Sequence, residues 1–334
     1  MPGFDTQARA RQSAPMTPPG REVHDSPDEE TATGLWGGRL AAAAPFSLAL
    51  DAQPRIPVLL AVPHAGRAYA SDLTARLRQP ELTRLRLEDR YVDLLAREVA
   101  RATGAALLIA HAPRALIDLN RTPDDVDWDM IAGGAPAQAS AGGARAAGSR
   151  ARSGLGLVPR RVPGLGEIWR WRMSAPELEE RLAGIHRPYH AAIETALERL
   201  RDGWGAALLV DLHSMPPLGP KTGPTAAADF VVGDRFGASC AAQLSAAALA
   251  HFGAAGRATA HNRPYAGGYV LDRHGAPARG IHAMQIEVCR STYLDARLSE
   301  PGPGLPAVAR VLAGLVRRLA DELTLGRDVA QAAE

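Results

Sequence analysis

The chain has 334 residues, which is enough for one large α/β domain or two small ones with a substantial core. Its 38 Lys and Arg residues against 36 Asp and Glu leave a net charge of +2, so composition gives no general case for nucleic acid or an anionic membrane as a partner. The two cysteines form no CxxC pair, which argues against a disulfide scaffold and fits a reducing compartment. No apolar run approaches the roughly 20 residues of a membrane span, and no signal peptide is evident, so we expect a cytoplasmic protein.

Composition also divides the chain. Residues 1–35 are rich in Pro, Ser, Thr, Gly and charge, and they offer too little apolar surface to offset the entropy of ordering, so we predict a disordered segment. Residues 36–325 are predicted to form a single α/β domain, interrupted by a flexible insertion near 131–153 that is rich in Ala, Gly and Ser. Residues 326–334 are predicted to be a C-terminal tail.

The first strand prediction is 56–62, a continuously apolar run that ends at a proline, as a buried parallel strand does. A helical period of apolar residues follows over 82–102. The later predictions are strands at 105–110 and 115–119, a helix at 176–200, strands at 206–212 and 229–232, a helix at 240–252, a strand at 281–288 and a helix at 306–323. Alternation of strands and helices indicates an α/β fold with a mixed, mainly parallel central sheet flanked by helices.

Three polar residues lie at or near the ends of predicted buried strands: His64, His213 and Glu287. Two histidines at the carboxyl edge of a sheet, with a carboxylate from a neighbouring helix, would make a three-ligand zinc site with an open fourth position. The competing interpretation is that each histidine only forms hydrogen bonds at the end of its strand. The HExxH motif is absent.

Other candidates are weaker when taken singly. Arg121, in the sequence DLNR, can hold a carboxylate bidentately with Asn120 and Arg114 nearby, or it can be a solvated arginine on a surface turn. Asp89 and Asp93 share one face of the predicted helix, where an acidic first turn would also complement the helix dipole. The sequence PYAGGYV at 264–270 reads as a flexible loop over a site or as an ordinary turn.

Taken together, the segments resemble the N-formylglutamate amidohydrolase family. The matching segments run from about residue 50 to about 320, and their order makes the resemblance specific. They are VPHAGR (62–67), LEDRYVDLLA (87–96), PRALIDLNRTPDD (113–125), GLGLVPR (154–160), HRPYH (186–190), LLVDLHSMPP (208–217), ADFVVGDRFGASC (228–240), NRPYAGGYVLDRHG (262–275) and IHAMQIEVCRSTYLD (281–295).

The resemblance implies an architecture similar to zinc carboxypeptidases and aspartoacylase, and hydrolysis of N-formyl-L-glutamate to formate and L-glutamate in bacterial histidine degradation. It implies a Zn²⁺ ion, or another divalent metal, bound by His64 and His213. The carboxypeptidase pattern places a glutamate three residues after the first histidine, but this chain has Arg67 there. We therefore assign the third ligand to Asp89, with Asp93 and Glu88 as alternatives.

By the same resemblance, Glu287 is the general acid and base, and Arg114 is a candidate donor to the oxyanion. Cys289 stands where the family pattern has an asparagine, which could alter the pocket wall beside Glu287. The predicted substrate-binding residues are Arg114, Asn120, Arg121, Arg290 and Tyr265.

Three alternatives remain at this point. A related zinc amidase could act on another N-acyl amino acid or small amide, because fold and catalytic frame are shared more widely than specificity. A non-catalytic carboxylate-binding protein could use the same scaffold. An Arg-rich insertion binding nucleic acid is disfavoured by the near-neutral charge. We predict a small-molecule N-acyl amino acid as the partner, with no nucleic acid and no membrane. The sequence gives no indication of the oligomeric state.

Overall fold

A seven-stranded sheet and a separate two-stranded hairpin are formed by the residues that the computed structural model describes, which are 44–135, 149–221, 223 and 226–331. The predicted N-terminal segment 1–35 and most of the predicted insertion lie outside these residues. The strands are β1 (Phe46–Ala49), β2 (Val58–Val62), β3 (Ala106–Ala110), β4 (Arg161–Val162), β5 (Gly166–Glu167), β6 (Ala207–Met215), β7 (Phe230–Gly233), β8 (Thr259–His261) and β9 (Ile281–Cys289).

The strand order of the large sheet is β1-β3-β2-β6-β9-β7-β8, and β4 pairs with β5 in the hairpin. The central strands β3, β2, β6 and β9 are parallel to one another, and so are β7 and β8. Strand β1 is antiparallel to β3, and β7 is antiparallel to β9. The predicted mixed, mainly parallel sheet is therefore confirmed. Strands β2, β3 and β6 are buried along their whole length, which explains their continuous apolar sequences.

Helices cover both faces of this sheet. They are α1 (Ser71–Arg76), α2 (Pro80–Leu87), α3 (Val92–Thr103), α4 (Ser149–Arg152), α5 (Ala175–Arg181), α6 (Arg187–Trp204), α7 (Ala242–Ala254), α8 (Tyr269–His274) and α9 (Leu305–Gln331). Alternate residues of β2 enter two different hydrophobic clusters: Leu59 packs in the cluster that contains α6, and Leu60 in the cluster that contains α3, α7 and α9. The period-2 alternation of strand side chains thus divides the core into two layers.

Two predicted elements differ in a way that shapes the site. The predicted helix 82–102 breaks between α2 and α3, where Tyr91 has a left-handed φ of 57° and the N–H of Asp89 donates to the carbonyl of His64. The predicted strand 115–119 is wrong, because the N–H of Leu116 closes a turn onto the Pro113 carbonyl. Its apolar residues are buried as part of a loop, and a buried loop can have the same apolar sequence pattern as a short strand.

The remaining differences are smaller. The predicted helix 176–200 is three joined segments, with a π-helical turn at Leu182–His186 between α5 and α6. The final helix α9 runs through Gln331 and so includes the start of the predicted tail. Short elements such as β1 and β8 carry too few residues for a periodic signal. None of the described helices is long and apolar enough to cross a membrane.

The connection after β2 depends on a glycine. A Cβ atom added to Gly66 would lie 2.0 Å from the carbonyl oxygen of Ala112, so we expect Gly66→Ala to lower the free energy of unfolding by about 1–3 kcal/mol through overpacking. Gly203→Ala is the matched control, because its Cβ would meet nothing within 4 Å and alanine favours a helix. Urea unfolding of both variants tests this, and equal stability of the two would contradict it.

Candidate metal centre and active site

The carboxyl edge of the sheet brings His64, His213 and Asp89 together. His64 follows β2, His213 lies within β6, and Asp89 lies in the break between α2 and α3. All three side chains are buried, and one candidate ligand atom from each lies within 4.8 Å of the other two. Two imidazole nitrogens and one carboxylate oxygen form a donor set that suits a divalent transition metal.

A carboxylate orients each imidazole. His64 Nε2 lies 2.7 Å from Asp118 Oδ1, and His213 Nε2 lies 2.9 Å from Asp211 Oδ2. Because each carboxylate accepts a hydrogen bond from Nε2–H, the unprotonated Nδ1 of each ring faces Asp89, as in the carboxylate–histidine pairs that support metal ligands. This preparation of both ligand atoms fits a bound cation.

The candidate ligand atoms lie in surroundings that favour a positive charge. His64 Nδ1 is buried and has no hydrogen-bond partner among the described residues. Asp89 Oδ2 lies 3.6 Å from His64 Nδ1 and 3.0 Å from His213 Nδ1. Burial by itself would lower the pKa of His213, yet the charge and hydrogen bond of Asp211 raise it well above its ordinary value. The surroundings therefore favour positive charge at this point, and a metal ion satisfies that demand with neutral imidazoles.

The structure also separates Asp89 from the two alternative ligands. Burial alone would raise the pKa of Asp89, but the hydrogen bonds from His213 and His64 bring it below its ordinary value. Asp93 forms a bidentate pair with Arg67 at 2.7 and 2.9 Å. Arg67 is the residue that stands where the carboxypeptidase pattern has a glutamate. Glu88 is paired with Arg90. The geometry therefore favours Asp89 as the carboxylate ligand.

Glu287 lies beside this group. The register of β6 and β9 pairs His213 directly with Glu287, so the two side chains project from neighbouring strands. Burial raises the pKa of the Glu287 carboxyl to about 7, with Asp89 and Asp211 adding to the rise and His213 opposing it. Gln285 Nε2 donates to Glu287 Oε1 at 3.0 Å and fixes the orientation of the carboxyl. Such a carboxyl can accept and return a proton near neutral pH.

The His64–Asp89–His213 group and Glu287 line one cavity of about 370 Å³, a size that suits a small molecule. Five arginines line it, against two carboxylates, Asp89 and Glu287. These arginines are Arg86, Arg114, Arg121, Arg150 and Arg290. The excess of positive charge favours an anionic ligand.

All five predicted substrate-binding residues line this cavity, and the structure shows what else they hold. Arg114 contacts Asp118 through Nε and Nη2 at 2.9 and 2.8 Å. Arg121 donates to the carbonyls of Asn120 and Leu155. Arg290 donates to Ser214 and lies 3.3 Å from Asp89, so part of its guanidinium contacts that carboxylate and is not free to meet a ligand.

Asn120 and Tyr265 also line the cavity. Asn120 Nδ2 lies 3.5 Å from Gln285 Oε1, while its Oδ1 accepts from the N–H of Val270. Tyr265 is half-buried, and burial raises the pKa of its hydroxyl above the ordinary value. Cys289 is buried against Met215 and is not among the residues that line the cavity.

Sequence reasoning missed the supporting residues Asp118, Asp211 and Gln285. Two of them carried a readable signal: Asp211 and Gln285 each precede a candidate residue by two positions on the same strand and so share its face. Asp118 carries no such signal, because it lies on a loop and not on the strand that precedes His64. Arg86 and Arg150 were also missed, since exposed arginines are common and only the fold brings them to one cavity.

Two imidazoles, a buried carboxylate and a neighbouring glutamate of raised pKa are the groups used by hydrolases that act through a divalent cation and a general base. Residues 56–294 match the family model described as N-formylglutamate amidohydrolase, and the chain belongs to this family. The resemblance predicted from the sequence is thereby confirmed.

Individual relatives agree. The chain is 32% identical over 245 residues to N-formylglutamate deformylase of Pseudomonas aeruginosa, covering 72% of this chain and 83% of that protein. It is also 32% identical over 250 residues to N-formylglutamate deformylase of Pseudomonas putida, covering 73% and 84%. The crystal structure of N-formylglutamate amidohydrolase from Ralstonia eutropha JMP134 superposes with a TM-score of 0.74 at 33% identity, covering 84% of this chain and 99% of that chain.

The choice of Asp89 over Asp93 can be tested by metal content. We expect Asp89→Asn to lose bound metal, because an amide oxygen is a weaker ligand than a carboxylate, whereas Asp93→Asn should keep it because Asp93 pairs with Arg67. Elemental analysis of each purified, folded variant after zinc loading and desalting gives the metal-to-protein ratio. Full metal in Asp89→Asn with loss in Asp93→Asn would reverse the assignment.

Proposed function

We propose that this protein is a cytoplasmic, metal-dependent amidohydrolase that cleaves N-formyl-L-glutamate to formate and L-glutamate, as a step of histidine degradation. The observation that carries the proposal is the position of Glu287, a buried carboxyl with raised pKa beside the His64–Asp89–His213 group in an arginine-lined cavity. The names of the relatives, N-formylglutamate deformylase and amidohydrolase, support the substrate.

We assign the metal as Zn²⁺, because two imidazoles and one carboxylate would supply the three protein ligands that catalytic zinc sites use. When bound, the ion would polarise the formyl carbonyl and lower the pKa of a coordinated water to about 7. Asp118 and Asp211 keep both imidazoles in the tautomer that offers Nδ1 as the ligand atom.

Glu287 performs the proton transfers in this proposal. It accepts a proton from the attacking water as the C–O bond forms at the formyl carbon. It then gives that proton to the leaving nitrogen as the C–N bond breaks, so that formate and the free amine of glutamate result. Arg114 has an Nη1 group beyond its contacts with Asp118, and it would donate to the oxygen that gains negative charge, an effect typically worth about 3–4 kcal/mol of barrier.

The charge of the cavity supports a substrate with two carboxylates. Arg121, with Arg290 as a second anchor, would hold the carboxylates of glutamate, and Asn120 lies beside Arg121. Arg290 is already engaged by Asp89, so we add Arg150, which lines the cavity and whose guanidinium forms no hydrogen bond or ion pair within the described part of the chain. A monocarboxylate would leave part of this positive charge uncompensated.

Formate release from N-formyl-L-glutamate tests the function. We expect the zinc-loaded protein to release formate, and Glu287→Gln to keep its metal but lose at least about 10²-fold in kcat, because an amide cannot accept the proton of water. Glu81→Gln, which removes an exposed carboxylate outside the cavity, is the control. Metal without formate release would redirect the search to other N-acyl amino acids; neither metal nor turnover would favour the carboxylate-binding protein.

Arg150→Gln tests the recognition of charge. We expect a roughly tenfold rise in KM with little change in kcat, because a charge-assisted hydrogen bond made equally in the ground and transition states is lost. Arg310→Gln, which removes an exposed arginine from α9 outside the cavity, should change neither constant.

Comparison with N-formyl-L-glutamine locates the contact. If Arg150 binds the side-chain carboxylate, the rise in KM caused by Arg150→Gln disappears with this substrate; if Arg150 binds the α-carboxylate, the rise persists. An unchanged KM with both substrates would exclude Arg150 from substrate binding.

A further inference from the structure

A cluster of three histidines lies directly behind the substrate side of the cavity. It consists of His186, His190 and His274, all buried, together with Tyr269, and none of the four lines the cavity itself. The imidazole rings of His186 and His190 are 4.5 Å apart, and that of His190 stacks on His274 at 5.3 Å. The chemistry proposed for the site uses none of these side chains, so their burial calls for another explanation.

Two members of this histidine cluster hold the backbone on either side of Asn120. His186 Nε2 lies 2.9 Å from the carbonyl oxygen of Arg121, and His190 Nε2 lies 3.0 Å from that of Leu119. A carbonyl can only accept, so each Nε2 carries the proton. The cluster thus fixes the two carbonyls that flank the residue predicted to meet the substrate.

The proton on His190 Nε2 determines the direction of the hydrogen bond between His190 and His274. His190 Nδ1 is then an acceptor, and it lies 3.0 Å from His274 Nε2, which must donate. Burial lowers the pKa of His186 and His190, and burial with the nearby charge of Arg273 lowers that of His274 to about 3. All three rings are therefore neutral at pH 7, with one consistent assignment of their protons.

A second connection joins Asn120 to the histidine cluster through α8. Asn120 Oδ1 accepts from the N–H of Val270 at 2.9 Å, in the first turn of α8, and the last residue of α8 is His274. Gly268 permits this approach, since a Cβ there would lie 2.5 Å from Asn120 Oδ1. Asn120 is consequently held through its side chain and through both neighbouring carbonyls.

The local sequence explains how the imidazoles reach these carbonyls. His186 is the last residue of the π-helical turn and His190 follows four residues later in α6, so the two rings share one face. Pro188 lacks an N–H and so cannot donate to the preceding turn. Single π-helical turns of this kind occur frequently at functional sites.

We propose that His186 and His190 are positioning residues that set Asn120 and Arg121 for binding of the substrate carboxylate, acting through the carbonyls of Leu119 and Arg121. This inference rests on the proposed function for the identity of the substrate. The metal-ligating group lies on other elements, so the imidazoles should govern substrate affinity and leave metal binding unchanged.

His186→Phe and His186→Gln form the test. Phenylalanine preserves the ring stacked on Tyr269 but cannot donate, whereas the glutamine amide restores an N–H donor at a similar reach. His251→Phe is the control, because His251 Nε2 makes the same kind of bond, 2.9 Å to the Val311 carbonyl, between α7 and α9 outside the cavity. Each folded, zinc-loaded variant is assayed for metal content, for formate-release kinetics and for the Kd of glutarate.

We expect His186→Phe to raise KM and the Kd of glutarate roughly ten- to hundredfold with full metal content, since small displacements of positioning groups have effects of this order. His186→Gln should stay within about threefold of the wild type, and His251→Phe should match it. Wild-type affinity for glutarate in His186→Phe, or failure of glutamine to rescue, would overturn the proposal.

Failure of the proposed function has a different signature. A wild-type protein that binds glutarate but releases no formate contradicts the substrate assignment, while the ratio of glutarate affinities still decides the role of His186. A wild-type protein that neither binds glutarate nor releases formate contradicts both.

A measurement on the wild-type protein avoids dependence on variant folding. Nitrogen-15 chemical shifts of the imidazole rings should show His186 and His190 neutral, with the proton on Nε2, and the His186 signals should move when glutarate is added. Neutral rings with the proton on Nδ1 would lack the Nε2 hydrogen bonds to the Arg121 and Leu119 carbonyls, and this result would overturn the inference.

Discussion

Compensation of buried negative charge is the constraint on which the site depends. Asp89, Asp118 and Asp211 are almost completely buried around two imidazoles, and an unpaired charge in such surroundings is strongly destabilising. Arg114 compensates Asp118, and Arg290 lies against Asp89. The remaining demand for positive charge falls between the two Nδ1 atoms and Asp89 Oδ2, which is where a divalent cation fits.

This constraint divides the arginines of the cavity into two groups. Arg114 and Arg290 have part of their guanidinium committed to the carboxylates that orient or form the ligand group, and Arg121 donates to two backbone carbonyls. Arg86 and Arg150 have no such partner among the described residues. Substrate charge would therefore be met both by arginines that the fold has already oriented, which lose little entropy on binding, and by arginines that are free to adjust.

The supporting interactions extend outward in layers. Strand register places His213 beside Glu287 and, two residues earlier, Asp211 beside Gln285, so the reacting groups and their supports come from the same pair of strands. On the substrate side, Asn120 is supported by α8 and by the buried histidines rather than by the sheet. Strands thus carry His213 and Glu287, while a loop with its own buried supports carries Asn120.

The sequence by itself determined the mainly parallel sheet, the positions of His64, His213 and Glu287 at its carboxyl edge, and the family, because apolar runs and short motifs are local signals. Only the tertiary structure distinguishes Asp89 from Asp93, because the left-handed turn at Tyr91 separates them and Asp93 is paired with Arg67. It also revealed Asp118 behind His64, 54 residues away, and Arg290 against Asp89, 201 residues away. No local period encodes contacts over such separations, since they arise when the sheet and its helices pack together.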